Sequence, residues 1–142
     1  MTQASGFITI AQLTEQVATG EVDTVIVAFT DMQGRLVGKR VSARLFLEDI
    51  YNHGAECCNY LLAVDVEMNT VDGYAMSSWS RGYGDMAMIP DLATLRQAPW
   101  LPGAVLVTAD LHWLDEAPVV ASPRQILKQQ LQRLADRGLM SV

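Results

Sequence analysis

Residues 23–43 hold the feature that most restricts the possible folds of this chain. Two strand-like runs, DTVIVAFTD and LVGKRVSA, flank MQGR, and Gly34 in that linker suits a tight turn, so the pattern predicts a β-hairpin. The segment SARLFLEDIYNHG follows directly and predicts a helix, with Ser42 as N-cap and with Phe46 and Ile50 one turn apart. A hairpin that leads straight into a helix indicates a fold that combines both types of element.

Three more strand-like runs lie downstream, namely AECCNYLLAVDV, DMAMI and GAVLVTADL. Another helix is predicted before the hairpin, in TIAQLTEQVATG, because Thr9 and Gln12 have the spacing of a capping box. Five strands with a helix after the first hairpin predict an α+β fold with a mixed sheet.

The segment SPRQILKQQLQRLADRG predicts a last helix, with Ser122 as N-cap, Pro123 at the first helical position and Gln125 completing a capping box. The helix is expected to end at Gly138, and only LMSV follows. Because an apolar restart after a helix cap normally begins another element, we expect a further domain to follow. The apolar stripe of this helix consists of Leu127, Leu131 and Leu134.

Composition limits the classes of partner. Of the 142 residues, 50% are hydrophobic and 18% charged, which predicts one folded domain. The formal charge is −6 and no basic run exceeds Lys39-Arg40, so we expect neither nucleic acid nor an anionic membrane as partner. The N-terminal residues lack the pattern of a signal peptide, and no apolar stretch approaches the roughly 20 residues that cross a bilayer. We therefore expect a soluble, cytoplasmic protein.

The two cysteines, Cys57 and Cys58, are adjacent. Neighbouring side chains of a strand point to opposite faces, so a disulfide between them is disfavoured. A zinc site that also used His53 would lack a fourth ligand at useful spacing. Two reduced structural thiols are the favoured interpretation.

Three motifs, in this order and spacing, resemble the N-terminal part of the glutamine synthetase family over about residues 20–138. They are FTDMQGRLVGKRV, RGYGDMAMIPDLATLRQAPWLPGAVLVTAD and PVVASPRQILKQQLQRLADRG. The matching positions are Asp31, Gly34, Gly38 and Lys39, then Gly84 to Asp91, Thr94, Arg96, Pro99 and Trp100, and finally Ser122-Pro123-Arg124.

The resemblance implies a β-grasp domain, a curled sheet around the helix of residues 42–53. It divides the chain into an N-terminal helix and lead-in at 1–21, the β-grasp domain at 22–121, and a helix at 122–142 that leads to a catalytic domain. In the family that domain holds the metal ligands, the ATP site and the arginines that bind glutamate. These 142 residues contain neither an E-x-E metal motif nor a P-loop.

The implied activity is the ATP-dependent ligation of ammonia or an amine to the γ-carboxylate of glutamate. Such a ligase forms an acyl phosphate and needs two or more Mg²⁺ or Mn²⁺ ions. We expect ATP and these ions in the full-length protein and none of them on this chain alone, whose carboxylates could hold at most a weak ion. The expected partners are identical neighbouring subunits of a ring, glutamate, and ammonia or an amine.

The family also implies a loop that reaches into the active site of the next subunit, with the pattern D-G-S-S and a tryptophan seven residues after the aspartate. Asp72-Gly73 and Trp79 have that spacing, which predicts Asp72 as the catalytic residue that binds ammonium and draws a proton from it. Tyr74 and Ala75 replace the two serines. An ordinary turn-forming Asp-Gly pair is therefore the alternative interpretation.

The lost serines fit a larger amine, such as a polyamine or ethanolamine. Tyr74, Met76 and Trp79 would contact it through cation–π and apolar interactions. Arg81 is a candidate for binding a carboxylate or phosphate of the substrate, against the alternative of a surface arginine. The predicted substrate-binding residues are therefore Tyr74, Trp79 and Arg81.

The remaining candidates have structural interpretations. We expect Asp91 to cap a turn, residues 94–96 to continue the sheet, Trp100 to be a core or subunit-contact aromatic, and His112 to face solvent. Two alternatives to the ligase stay open. One is a free-standing β-grasp module for protein–protein contact, and the other is a paralogue that keeps the fold without the catalysis.

Overall fold

A computed structural model describes residues 6–76 and 84–139 of the chain. The strands are β1 (Thr24–Thr30), β2 (Leu36–Ser42), β3 (Ala55–Cys58), β4 (Asp85–Pro90), β5 (Arg96–Gln97) and β6 (Ala104–Trp113). The helices are α1 (Ile10–Ala18), α2 (residues 43–53) and α3 (Pro123–Ala135), with two short 3₁₀ turns at Asn59–Leu62 and Leu92–Thr94.

The six strands form one mixed sheet in the order β2-β1-β6-β4-β3, and β5 pairs with β6. Strands β1 and β6 run parallel, and the other pairs run antiparallel. Helix α2 contributes Phe46 and Ile50 to the apolar core that the curled sheet encloses. This arrangement confirms the predicted α+β fold with a curled sheet around one helix.

The predicted hairpin is confirmed. Strands β1 and β2 pair from Thr24 with Ser42 to Thr30 with Leu36. Gly34 has a φ of 81°, a left-handed conformation that favours glycine, and its N–H donates to the carbonyl of Asp31 at 3.1 Å. The turn therefore forms through local chemistry.

The capping box of helix α1 is also confirmed. The backbone N–H of Gln12 donates to Oγ1 of Thr9 at 3.2 Å, and the N–H of Thr9 donates to Oε1 of Gln12 at 2.8 Å. Leu13 is fully buried, so α1 packs on the same core as the sheet.

Helix α2 starts and ends where the sequence predicts, but its middle differs. Oγ of Ser42 accepts the N–H of Leu45 at 3.2 Å, and the helix stops at Gly54. Between α-helical turns at Ala43–Leu45 and Tyr51–His53, the residues Phe46–Ile50 form a π-helix, a wider turn that periodicity does not reveal.

The prediction of one strand over AECCNYLLAVDV is wrong beyond Cys58. A 3₁₀ turn, Asn59–Leu62, replaces the strand, since the side chain of Asn59 bonds to backbone groups far along the chain. The prediction that residues 94–96 continue the sheet holds only in part, because Thr94 ends a 3₁₀ turn and Arg96 begins the short β5.

Helix α3 begins at Pro123 as predicted, but the predicted capping box is wrong, because the Ser122 side chain makes no capping hydrogen bond. The helix ends as predicted near Gly138, whose N–H donates to the carbonyl of Ala135 at 2.9 Å. Over the part of the chain that the structure describes, its apolar stripe does not belong to the core or pack against it. The exposed apolar residues of this segment are Ile126, Leu127, Leu131, Leu134 and Leu139.

Several smaller expectations have clear outcomes. Trp100 is 65% exposed, so it is not a core residue of this chain. Asp91 does cap a turn, since its Oδ1 accepts the N–H of Ala93 at 3.2 Å. Cys57 is buried and Cys58 exposed, as expected for adjacent strand residues. Within the described ranges no helix is both long and apolar enough to cross a membrane.

Candidate functional site

Residues 63–76, here called the 63–76 loop, carry the predicted site residues Asp72 and Tyr74. The first part of the loop folds back on itself, with an isolated bridge between Val64 and Thr70 and a 2.9 Å hydrogen bond from the N–H of Val71 to the carbonyl of Ala63. Residues 63–71 of the loop therefore form a small hairpin.

Asp65 organises the tip of this hairpin. Its Oδ1 accepts the backbone N–H groups of Glu67 and Asn69, each at 2.9 Å, and its Oδ2 accepts from Nδ2 of Asn69. The hydrogen bonds from Asn69, followed by the one from Glu67, lower the pKa of the Asp65 carboxyl. Met68 takes a φ of 68°, which is uncommon outside glycine, at the apex. The carboxylate thus holds a tight turn in place.

The turn of the β1–β2 hairpin binds the start of the loop. The Arg35 guanidinium donates from Nη1 to the carbonyl of Val66 at 2.6 Å and from Nη2 to the carbonyl of Asp65 at 3.2 Å. Nε2 of Gln33 donates to the carbonyl of Val64 at 2.8 Å. Three successive carbonyls of the loop are therefore satisfied by side chains of the hairpin turn.

Asp31 holds Arg35 in this position. Its buried carboxylate accepts Nε of Arg35 at 2.7 Å and the backbone N–H groups of Gln33 and Arg35 at 2.9 and 2.8 Å. Burial by itself would raise the pKa of Asp31, but the hydrogen bonds from Arg35 and Gln33 outweigh burial and lower it. The ionised carboxylate and the guanidinium form one unit.

Asn59 binds the end of the loop. Its Nδ2 donates to the carbonyl of Met76 at 2.9 Å, and its Oδ1 accepts the N–H of Gly84 at 3.2 Å. The backbone N–H of Asn59 also donates to the carbonyl of Gly84 at 2.9 Å. This buried amide therefore connects the residues on either side of positions 77–83.

Two of the four predicted site residues, Asp72 and Tyr74, lie within the described part of the chain. Asp72 and Gly73 form an exposed turn, and Tyr74 is 40% exposed two residues later. Trp79 and Arg81 lie outside the described residues. The turn brings Asp72 and Tyr74 to one accessible segment, and their chemical roles stay predictions.

The described residues hold no candidate metal centre. Over residues 6–76 and 84–139, no group of three or more histidine, cysteine, aspartate or glutamate side chains is placed to hold a metal ion. The carboxylate of Asp65 is already engaged by its own turn. Burial raises the pKa of the Cys57 thiol to about 12, so this sulfur is a poor ligand near neutral pH.

Sequence reasoning missed three residues that hold the candidate site, namely Gln33, Arg35 and Asn59. Only Arg35 left a local signal, because it stands four positions after Asp31 across a tight turn, where the two side chains can pair. The partners of Gln33 and Asn59 cannot be read from spacing.

Comparison with known proteins identifies relatives by sequence and by fold. No protein-family model matches the chain. The chain is 61% identical over 129 residues to gamma-glutamylethanolamide synthetase of Streptomyces coelicolor, a match that covers 91% of this chain and 28% of that protein. It is 34% identical over 117 residues to glutamate–isopropylamine ligase of a Pseudomonas species, covering 82% of this chain and 26% of that protein.

A solved structure of a GmaS/ADP complex has the same fold, with a TM-score of 0.67 and 26% sequence identity. The match covers 88% of this chain and 26% of the GmaS chain. The chain thus spans about a quarter of the length of the proteins it matches.

Proposed function

We infer that this chain, which is a glutamine-synthetase-like N-terminal domain, works as part of a longer enzyme that joins an amine to the γ-carboxylate of glutamate. The observation that carries the proposal is the 61% identity to gamma-glutamylethanolamide synthetase over 129 residues. The relatives contain this domain as about a quarter of a longer chain, which favours the ligase over a free-standing interaction module.

The proposed acceptor is a small organic amine rather than ammonia. Two similar proteins are named for ethanolamide and isopropylamine products or substrates. In the chain itself, the bulky Tyr74 follows the Asp72-Gly73 turn. An aromatic face beside a carboxylate suits an amine that has both a charge and an alkyl body. Ethanolamine is therefore the first amine to test.

ATP and divalent metal ions belong to the rest of the proposed enzyme. When bound there, they would supply the activation of the glutamate carboxylate. Over residues 6–76 and 84–139 no cluster of side chains is placed to hold a metal ion, so the role proposed for this chain concerns the amine.

We assign Asp72 to bind the amine and to accept a proton from it. An exposed carboxylate attracts an ammonium group, and the amine must lose a proton before its nitrogen can attack a carbonyl carbon. Tyr74 would contact the alkyl part. Because Asp72 and Tyr74 are exposed, we propose that this pair works in the active site of a neighbouring identical subunit within a ring.

The test is an assay of the full-length protein that contains this chain, with ATP, Mg²⁺, glutamate and a panel of amines. We expect release of phosphate together with a γ-glutamyl amide, at a higher kcat/KM for ethanolamine than for ammonia. A preference for ammonia would contradict the proposed acceptor, and a failure to form any γ-glutamyl product would contradict the ligase itself.

A further inference from the structure

We propose that Asn59 and Arg35 are positioning residues that fix the 63–76 loop at its two ends, so that this chain by itself holds Asp72 and Tyr74 in place for the neighbouring subunit. The inference rests on the proposed function, because it concerns how the loop is presented to that shared site. Neither residue touches the proposed amine, and both act through the backbone of the loop.

Asn59 fixes the end of the loop. Asn59 is 4% exposed, and both ends of its side-chain amide are used, one as donor to Met76 and the other as acceptor from Gly84. A buried amide satisfied in both directions has one orientation, since turning it by half a revolution would oppose donor to donor. Asn59 therefore fixes the separation between Met76 and Gly84.

Arg35 fixes the start of the loop. The guanidinium of Arg35 is planar, and its fork contacts Asp31 on one side and the carbonyls of Asp65 and Val66 on the other. The buried carboxylate prevents the fork from rotating away. A lysine could keep the charge beside Asp31, but its single ammonium nitrogen lacks the planar fork that contacts the carboxylate on one side and two carbonyls on the other.

Asp72 and Tyr74 lie in the span between these two anchors, Arg35 and Asn59. Val71 is hydrogen-bonded to Ala63, and Met76 is hydrogen-bonded to Asn59, so a fixed point lies on each side of Asp72 and Tyr74. Ordering one free residue costs roughly 1–2 kcal/mol. A short anchored span thus avoids most of the ordering cost that a loose loop would incur when it enters a neighbour's site.

The experiment compares three variants of the full-length protein. Asn59→Asp keeps the size and the acceptor but removes the donor to Met76. Arg35→Lys keeps the ion pair with Asp31 but removes the fork. Asn52→Asp is the matched control, because Asn52 is an exposed helix residue. Each protein is measured for hydrogen exchange in residues 63–76 relative to β6, and for the KM of ethanolamine and of glutamate.

We expect Asn59→Asp and Arg35→Lys to speed exchange in the loop about threefold to tenfold relative to β6, the effect of losing one or two hydrogen bonds. The KM for ethanolamine should rise by a similar factor while the KM for glutamate stays unchanged. The Asn52→Asp control should match the wild type. A general loss of structure would instead speed exchange in β6 and would not separate the two KM values.

The Asn59→Asp protein offers a further check through pH. A protonated carboxyl can donate to the carbonyl of Met76, so lowering the pH should return the loop-to-β6 exchange ratio toward that of the wild type measured at the same pH. Unchanged loop exchange in both anchor variants would overturn the proposal. If the wild-type enzyme makes no γ-glutamyl product, the proposed function fails, and the exchange ratios still decide whether the anchors hold the loop.

Discussion

The guanidinium of Arg124 donates from Nε to Oδ1 of Asp110 at 2.8 Å, and so attaches the first turn of helix α3 to the central strand β6. Its Nη2 also contacts Asp91, and Nζ of Lys128 contacts the other oxygen of Asp110. Two separate motifs of the sequence, the Pro-Asp at the end of β4 and the Ser-Pro-Arg at the start of α3, meet at this network.

Replacement of Arg124 should release helix α3. We expect Arg124→Ala to lower the free energy of unfolding by about 1–3 kcal/mol, because two partly buried carboxylates lose a charged hydrogen-bond donor. Chemical denaturation measures this change. Arg137→Ala, at an exposed position after the helix, is the control and should change the stability by less than about 0.5 kcal/mol. Equal effects of the two changes would contradict a structural role for the network.

Gly38 should be the least replaceable glycine in the hairpin. A Cβ at Gly38 would lie 2.0 Å from the carbonyl oxygen of Val27, and the backbone of a paired strand cannot move aside. We expect Gly38→Ala to destabilise the chain by about 2–4 kcal/mol or to prevent folding, as measured by thermal unfolding. In Gly84→Ala the nearest contact among the described residues would be 3.7 Å away, at Nδ2 of Asn59, so that variant should stay close to wild type. A stable Gly38→Ala protein would show that β2 pairs differently.

Acid should lower the free energy of unfolding through Asp31 and Asp110, because the pKa values of both carboxyl groups are lowered in the folded state. For Asp110, burial acts in the opposite direction, and the hydrogen bonds from Lys128 and Arg124 outweigh it. A lowered folded-state pKa adds stability above the unfolded value of about 3.9, and that stability is lost as the pH falls through the folded-state pKa.

Measurements of unfolding free energy from pH 6 downwards therefore test the pairing of Asp31 with Arg35. We expect Asp31→Asn to be less stable than the wild type at pH 6 and to lose less stability on acidification, because it lacks one of the titrating groups. Parallel curves for the two proteins would contradict the pairing in solution.

The elements that could be predicted are those whose causes are local. The capping box of Thr9 and Gln12 spans three positions, and the tight turn at Gly34 joins strands that follow one another. The end of β3 could not be predicted, because the partners of Asn59 lie 17 and 25 positions away. Likewise, Arg35 reaches Val66 across 31 positions, so no spacing rule reveals the anchor of the loop.

In the candidate site, too, only the features with local causes could be predicted from the sequence. Asp72-Gly73 reads as a turn from the sequence and forms a turn in the structure. Its proposed chemistry depends on a surface of another subunit, which neither the spacing nor the fold of this chain contains. The apolar stripe of helix α3, Leu127, Leu131 and Leu134, has the period of a core-facing helix, yet it is exposed. Periodicity shows which face of a helix is apolar, but it does not show what packs against that face.

The central claim, that Asp72 works in the active site of a neighbouring subunit, is tested most directly by mixing two inactive forms of the full-length enzyme. One form carries Asp72→Asn, and the other is disabled in the part of the enzyme outside this chain. If each site combines two subunits, random co-assembly of equal amounts should restore about one quarter of the sites, and activity should reappear on mixing. Subunits that co-assemble fully and stay inactive would contradict the shared site.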